Sequence, residues 1–298
     1  MNNEMNRRGF LKLAGIGGFI LVSGLGGSSV TRAADSGQDG FTFAQLSDTH
    51  VGFDETDINP DYAGTLIKAV ATINGLATQP DFVVFTGDLT HTVDDPKERR
   101  KRLGEFRDIA KGLKVKDVKF LPGEHDAALD SGEAYREYLG QSFYSFDHKR
   151  VHFVAIDNVS DPRGIIGDSQ LAWLAEDLRK RDKDALIVVL THRPLFDLYP
   201  QWDWATRDGA KALELLMPFK NVVVFYGHIH QEHHHVTSSI VHHAARGLMY
   251  PLPAPGSVPK KQPVPWDPAQ PYRGLGERTI EAKTKTGLYL LSELPVRG

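Results

Sequence analysis

Five short apolar runs in this chain each stop at residues of the kinds that can ligate metal ions, and that repetition restricts the fold more than any other feature of the sequence. The sharpest run spans 221–226, an apolar and largely β-branched stretch that reads as a buried strand. Gly227 ends it, and His228 and His230 follow. In extended chain, residues at i and i+2 share one side of the backbone. Both imidazoles then face the same way and suit a metal pair, one nitrogen for each ion. Taken alone, the pair also fits a polar strand end with two solvated histidines.

The other four runs repeat the arrangement. The stretch 40–46 leads into Asp48 and His50, and 81–88 ends in Gly-Asp at Asp88. The stretch 118–122 leads into Glu124, His125 and Asp126, and 185–191 into His192. Ligands at the carboxyl ends of strands converge when the strands share a sheet. Carboxylates and imidazoles without sulfur suit manganese, iron, zinc or nickel more than a structural zinc site. Asp48, His50, Asp88, Glu124, His192, His228 and His230 exceed what one ion with open positions needs. They suit two ions roughly 4 Å apart that share a carboxylate.

Between these runs the spacing predicts helices over 61–77, 96–112, 169–181 and 208–217, the third capped by Asp168 or Ser169. The Lys and Arg cluster at 97–102 reads as a solvated face. Hairpins are expected over 142–146 with 151–156, over 232–240 with 241–245, and over 279–282 with 286–291. The segment 251–271 holds eight of the 17 prolines and reads as an extended loop wrapped over the surface. Its alternative role is a substrate-side lid, with Trp266 and Tyr272 as contacts. No internal repeat or change of composition divides the chain, so residues 34–298 read as one catalytic domain. The absence of cysteine excludes a thiol nucleophile, thiolate ligands and disulfides, and a formal charge of −3 argues against a nucleic-acid partner.

The first 33 residues read as an export signal. Arg7 and Arg8 precede Phe10, Leu11 and Lys12, a Gly-rich apolar run spans 13–30, and small residues stand at Ala33 and Ala34. The arginine pair resembles a bacterial twin-arginine signal, which implies the twin-arginine translocation machinery as a partner and a periplasmic or envelope location.

The ordered set Asp-x-His, Gly-Asp, Gly-x-His-Asp, His and Gly-His-x-His resembles the calcineurin-like metallophosphoesterase superfamily. The segments around Asp48 and Asp88 are similar to the branch with bacterial cyclic-nucleotide phosphodiesterases. The resemblance implies an α/β fold of two mixed β-sheets packed as a sandwich and flanked by helices. It implies a phosphomonoesterase or phosphodiesterase with a small phosphorylated substrate and two metal ions, manganese or iron, with zinc a third candidate. Asp48, His50 and His230 then hold the first ion, Asp88 bridges, and Glu124, His192 and His228 hold the second. A metal-bridging hydroxide attacks phosphorus, His125 serves as catalytic imidazole, and Asp126 is placed to orient its ring. Two positions depart from the pattern. Glu124 stands where the family has asparagine. His91 stands where its purple acid phosphatases have a tyrosine ligand, so their iron-tyrosinate colour is not expected. Arg193 is a candidate phosphate contact or a solvated arginine. The runs of spare histidines at 233–235 and 242–243, with His148 and His152, read as ordinary. The competing reading is a non-catalytic metal-binding envelope protein on the same fold, in which Glu124 has disabled the chemistry.

Overall fold

The computed structural model describes residues 40–298. The expected export signal at 1–33 lies outside the described residues. Among the described residues, eleven strands form two mixed sheets. In the first, β1 (Gly40–Leu46), β2 (Phe82–Thr86) and β3 (Val118–Leu121) run parallel, and the antiparallel hairpin β10 (Gly276–Lys283) and β11 (Leu288–Pro295) extends the β1 edge. In the second, β5 (Val151–Ala155), β6 (Leu186–Leu190), β7 (Asn221–Tyr226) and β9 (Ile240–Ala244) run parallel. The edge strands β4 (Tyr144–His148) and β8 (His233–Thr237) pair antiparallel at its two sides.

Strand periodicity explains the layers. Phe43, Phe82 and Val84 point inward and meet Phe153, Val188, Leu190 and Phe225 of the facing sheet. Their rings interlock: Phe43 stacks on Phe82 at 5.1 Å and meets Phe153 and Phe225 edge-on at 5.7 and 5.6 Å. The alternate residues Val83 and Phe85 point outward to α1 (Thr65–Asn74) and α2 (Pro96–Ala110). Val154, Ile187, Val189, Val222 and Val224 do the same toward α5 (Asp168–Arg179) and α6 (Gly209–Leu216). Central strands are thus buried on both faces and read as unbroken apolar runs. Two short helices, α3 (Glu124–Ala127) and α4 (Glu133–Leu139), follow β3.

Three local expectations change. The first helix begins at Thr65 and not at residue 61, because Asn59 folds the approach into a turn. Asn59 accepts from the Asp61 amide at 2.9 Å and donates to the Met249 carbonyl at 2.8 Å. Neither Asp168 nor Ser169 caps α5: Gly167 occupies that position, and the Asp208 carboxylate takes the Ile166 and Gly167 amides. The basic cluster on α2 is not uniformly solvated. Arg99 is buried against Asp130 at 2.9 Å, and Arg102 donates to the His91 carbonyl at 2.9 Å. These arginines brace the loops that leave β2 and β3 against the helix layer.

Candidate dinuclear metal centre

The parallel strands β1, β2 and β3 of one sheet and β6 and β7 of the other open at the same end of the sandwich. The donors therefore come from two sheets, whereas the strand-end pattern alone predicts a single shared sheet. The turns that carry them are not extended either. Asp48, His50, Asp88, His228 and His230 all have φ between 41° and 67°. Such left-handed turns cost about 1–3 kcal/mol each outside glycine and persist where surrounding contacts hold them. The i, i+2 pairs converge through these turns and not through strand alternation. Two glycines make room. A Cβ on Gly87, at φ +94°, would stand 2.3 Å from His192 Nδ1, and one on Gly123 would stand 2.1 Å from the Asp88 amide.

Two donor sets result, each with its ligand atoms within 4.8 Å of one another: Asp48, His50, Asp88 and His230, and Asp88, Glu124, His192 and His228. Asp88 belongs to both. In the first, His230 Nε2 lies 3.2 Å from His50 Nε2 and 3.3 Å from Asp48 Oδ1. In the second, His192 Nε2 lies 3.4 Å from Asp88 Oδ2 and 2.9 Å from Glu124 Oε2, and His228 Nδ1 lies 2.9 Å from Glu124 Oε1. Cations held at about 2.0–2.2 Å put neighbouring donors roughly 3 Å apart, so the spacing fits.

The outer nitrogens show which atoms face inward. His192 Nδ1 donates to the Thr86 carbonyl at 2.7 Å, His228 Nε2 to the Asp203 carbonyl at 2.9 Å, and His230 Nδ1 to the Tyr250 carbonyl at 2.6 Å. Each bond fixes the tautomer and leaves a lone pair aimed at the centre. His50 differs: its Nδ1 meets His91 Nδ1 at 3.3 Å. Backbone amides orient the carboxylates, His228 N to Asp48 at 3.1 Å and His125 N to Asp88 Oδ1 at 3.0 Å.

The electrostatics ask for added positive charge. Burial pushes the Asp48 carboxyl up to about 8, against the pull of His192 and with the repulsion of Asp88. Burial resists charge on His192, yet Asp88 and Glu124 raise its imidazole well above the ordinary value. Glu124 Oε2, His192 Nε2 and His228 Nδ1 are buried without a hydrogen-bond partner. Crowded together yet not aligned on each other, these atoms point to a common centre. The residues fit a pair of cations.

A family model for calcineurin-like phosphoesterases matches residues 41–232. The chain belongs to that family. A probable glycerophosphodiester phosphodiesterase of Arcobacter nitrofigilis is 25% identical over 51% of this chain and 56% of its own length. A cAMP/cGMP dual specificity phosphodiesterase of Mycobacterium tuberculosis is 29% identical over 55% of this chain and 53% of its own. The match thus spans little more than half of either relative. A dimetal phosphatase of Danio rerio shares the fold with a TM-score of 0.59 at 16% identity, over 80% of this chain and 92% of that one.

In this phosphoesterase His125 stands beside the donor sets, its Nε2 3.9 Å from Asp88 Oδ2. Asp126 does not orient it. The Asp126 carboxylate instead accepts from the Gly123, Leu89 and Thr90 amides and the Thr90 hydroxyl, tying the β2 and β3 loops together. The His125 ring is held by Thr92, whose amide lies 3.1 Å and hydroxyl 2.6 Å from Nδ1. His50, His91 and His125 also gather within 4.8 Å of one another. His50 Nε2 and His125 Nδ1 are already committed to the first donor set and to Thr92.

Sequence reasoning missed Thr92, Tyr250 and Asp203. Tyr250 stacks on His230 at 4.5 Å and on His50 at 5.1 Å. Asp203 supplies the carbonyl behind His228. None sits in a motif, since each acts through a position set by the folded chain. Arg193 is not solvated; it is buried against Glu124 and Asp203. Trp266 and Tyr272 meet edge-on at 5.1 Å over the 57–61 segment, with the Trp266 amide bonded to the Asp57 carbonyl and Tyr272 to Asp61. These contacts lay the segment along the surface as a wrap. The triple histidine of β8 is packed, not displayed: His233 bonds Tyr226, His234 meets His243, and His235 stacks on Phe196 at 3.9 Å.

Proposed function

We propose that this phosphoesterase hydrolyses small phosphodiesters at the paired donor sets, Asp48, His50 and His230 serving the first cation, Glu124, His192 and His228 the second, and Asp88 both. The observation that carries the reading is the shared Asp88 between two four-donor sets in which His192, His228 and His230 have their outer nitrogens locked by backbone carbonyls. Cations held there by these residues would supply a hydroxide nucleophile at neutral pH and would draw charge from the phosphoryl oxygens. Manganese, iron and zinc all suit this nitrogen and oxygen set.

The chain's own contribution to the chemistry centres on His125. When the ring is neutral, Nδ1 accepts from the Thr92 amide and the proton sits on Nε2, on the side of Asp88. Protonating Nδ1 gives up the bond from the Thr92 amide, and Nδ1–H then donates to the Thr92 hydroxyl. Both states present Nε2–H to the reacting group. As the P–O bond breaks, the imidazolium passes its Nε2 proton to the leaving oxygen. A site that only stored metal would have no use for this arrangement. The phosphodiester class is supported by the two bacterial relatives, whose names place them on glycerophosphodiesters and cyclic nucleotides.

Purified protein loaded with Mn²⁺ is expected to bind two equivalents by elemental analysis. It is expected to lose turnover to a chelator and to cleave bis(4-nitrophenyl) phosphate faster than 4-nitrophenyl phosphate. One equivalent in fully active protein refutes the pair, and faster cleavage of the monoester refutes the diester class.

We also propose export through the twin-arginine route. Changing Arg7 and Arg8 to Lys is expected to leave precursor in the cytoplasm. Mature protein outside the cytoplasm at normal yield, read by fractionation and blotting, contradicts it.

A further inference from the structure

Arg193 follows a candidate ligand, yet its guanidinium is sunk into the site wall. The residue is 7% exposed. One terminal nitrogen is anchored on Asp203 Oδ2 at 2.7 Å. The other lies where Gly164, at φ +69°, leaves room; a Cβ there would stand 2.8 Å from it. Asp203 also fixes His228 through its carbonyl, so one residue sets both the guanidinium and a donor of the second cation. Arg193 Nε lies 3.6 Å from Glu124 Oε2 and makes no hydrogen bond at all. A buried, charged N–H without an acceptor is costly, and such a donor aimed at an anion site signals a ligand.

The charges give the reason. Glutamate at position 124 adds a negative charge where asparagine would be neutral. That charge holds the second cation more firmly but weakens the pull of the site on phosphate. Arg193 is a fixed positive charge beside the same carboxylate. Glu124 cannot give both oxygens to His192, His228 and a cation and still satisfy Arg193. We infer that Arg193 exchanges partners: its Nε leaves the Glu124 carboxylate, 3.6 Å away, once that carboxylate engages a cation, and binds a non-bridging oxygen of the phosphoryl group. Asp203 keeps the fork aimed during the exchange. Arg193 thereby returns to the substrate the attraction that Glu124 withdraws. This inference rests on the proposed two-cation reading.

The test measures binding of inorganic phosphate to Mn²⁺-loaded protein by calorimetry, with elemental analysis of every sample. Arg193→Met is expected to keep two Mn²⁺ and to bind phosphate about 10–100-fold more weakly. The same comparison in a Glu124→Asn background guards against misfolding, because the buried carboxylate beside Arg193 is then absent and the Asp203 carboxylate, half exposed, is left to water. There the Arg193→Met loss is expected to persist. Unchanged phosphate affinity in Arg193→Met overturns the inference. So does a loss that vanishes in the Glu124→Asn background, which would leave Arg193 as a counter-ion only. Wild-type protein that holds fewer than two Mn²⁺ would fault the cation assignment instead, and the two failures are read on different samples.

Discussion

His125→Asn is expected to lower kcat by about 10²–10⁴-fold while both cation equivalents stay bound. The ring lies outside the two four-residue donor sets that share Asp88, so its loss removes no ligand from them. Its Nε2–H is not spent on a backbone carbonyl, unlike the outer protons of His192, His228 and His230. The loss should grow as the leaving group becomes more basic, because a poor leaving oxygen depends most on being protonated. An alkyl ester should therefore suffer more than a 4-nitrophenyl ester of the same phosphate. Equal losses for both esters would assign His125 to phosphoryl binding and remove its role as acid. Loss of a metal equivalent would place it among the ligands.

Glu277→Gln is expected to stabilise the protein by about 2–4 kcal/mol at pH 8 and to change it by less than about 1 kcal/mol at pH 5. Glu277 lies on β10 beneath α1, 1% exposed. Burial pushes its carboxyl up to about 8 from 4.5, partly offset by its own amide and the Thr72 hydroxyl. The folded state therefore holds a proton that the unfolded chain releases above about 4.5. Below that value both states are protonated and the folded protein is favoured in full. As the pH rises toward 8 the unfolded chain gains free energy from ionising, and stability falls. Glutamine carries no such penalty at any pH. Denaturant titrations at pH 5, 6.5 and 8 measure the difference. A wild-type to variant gap that does not widen with pH would show that Glu277 is ionised in the folded protein.

Much of this phosphoesterase is legible in its sequence. The five apolar runs form β1, β2, β3, β6 and β7, since buried strands in a two-layer sandwich have few other sequence solutions. Six of the seven expected donors stand in one of the two sets and Asp88 in both, because a turn leaving a strand keeps its residues at the strand's end. The expectations that fail share a cause. Adjacency in the chain pairs Asp126 with His125, whereas its carboxylate closes on Leu89 and Thr90, 37 and 36 residues away. Arg99 reads as a surface charge in the sequence and Arg193 as either a phosphate contact or a solvated arginine, because burial of a charge depends on a partner that sequence order does not reveal.

What the sequence determined by itself was periodic and local: which runs are strands, what residues follow them, and hence the kind of chemistry they can support. Tertiary structure alone decided which atoms of those residues do the work. His192 finds the Thr86 carbonyl across 106 residues and the His228 amide finds Asp48 across 180. Those contacts depend on how two sheets stack, a non-local balance of packing that no spacing encodes. The left-handed turns at Asp48, Asp88 and His228 belong with them. Their backbone strain is tolerated only because the assembled sandwich over-determines the positions of the side chains they carry.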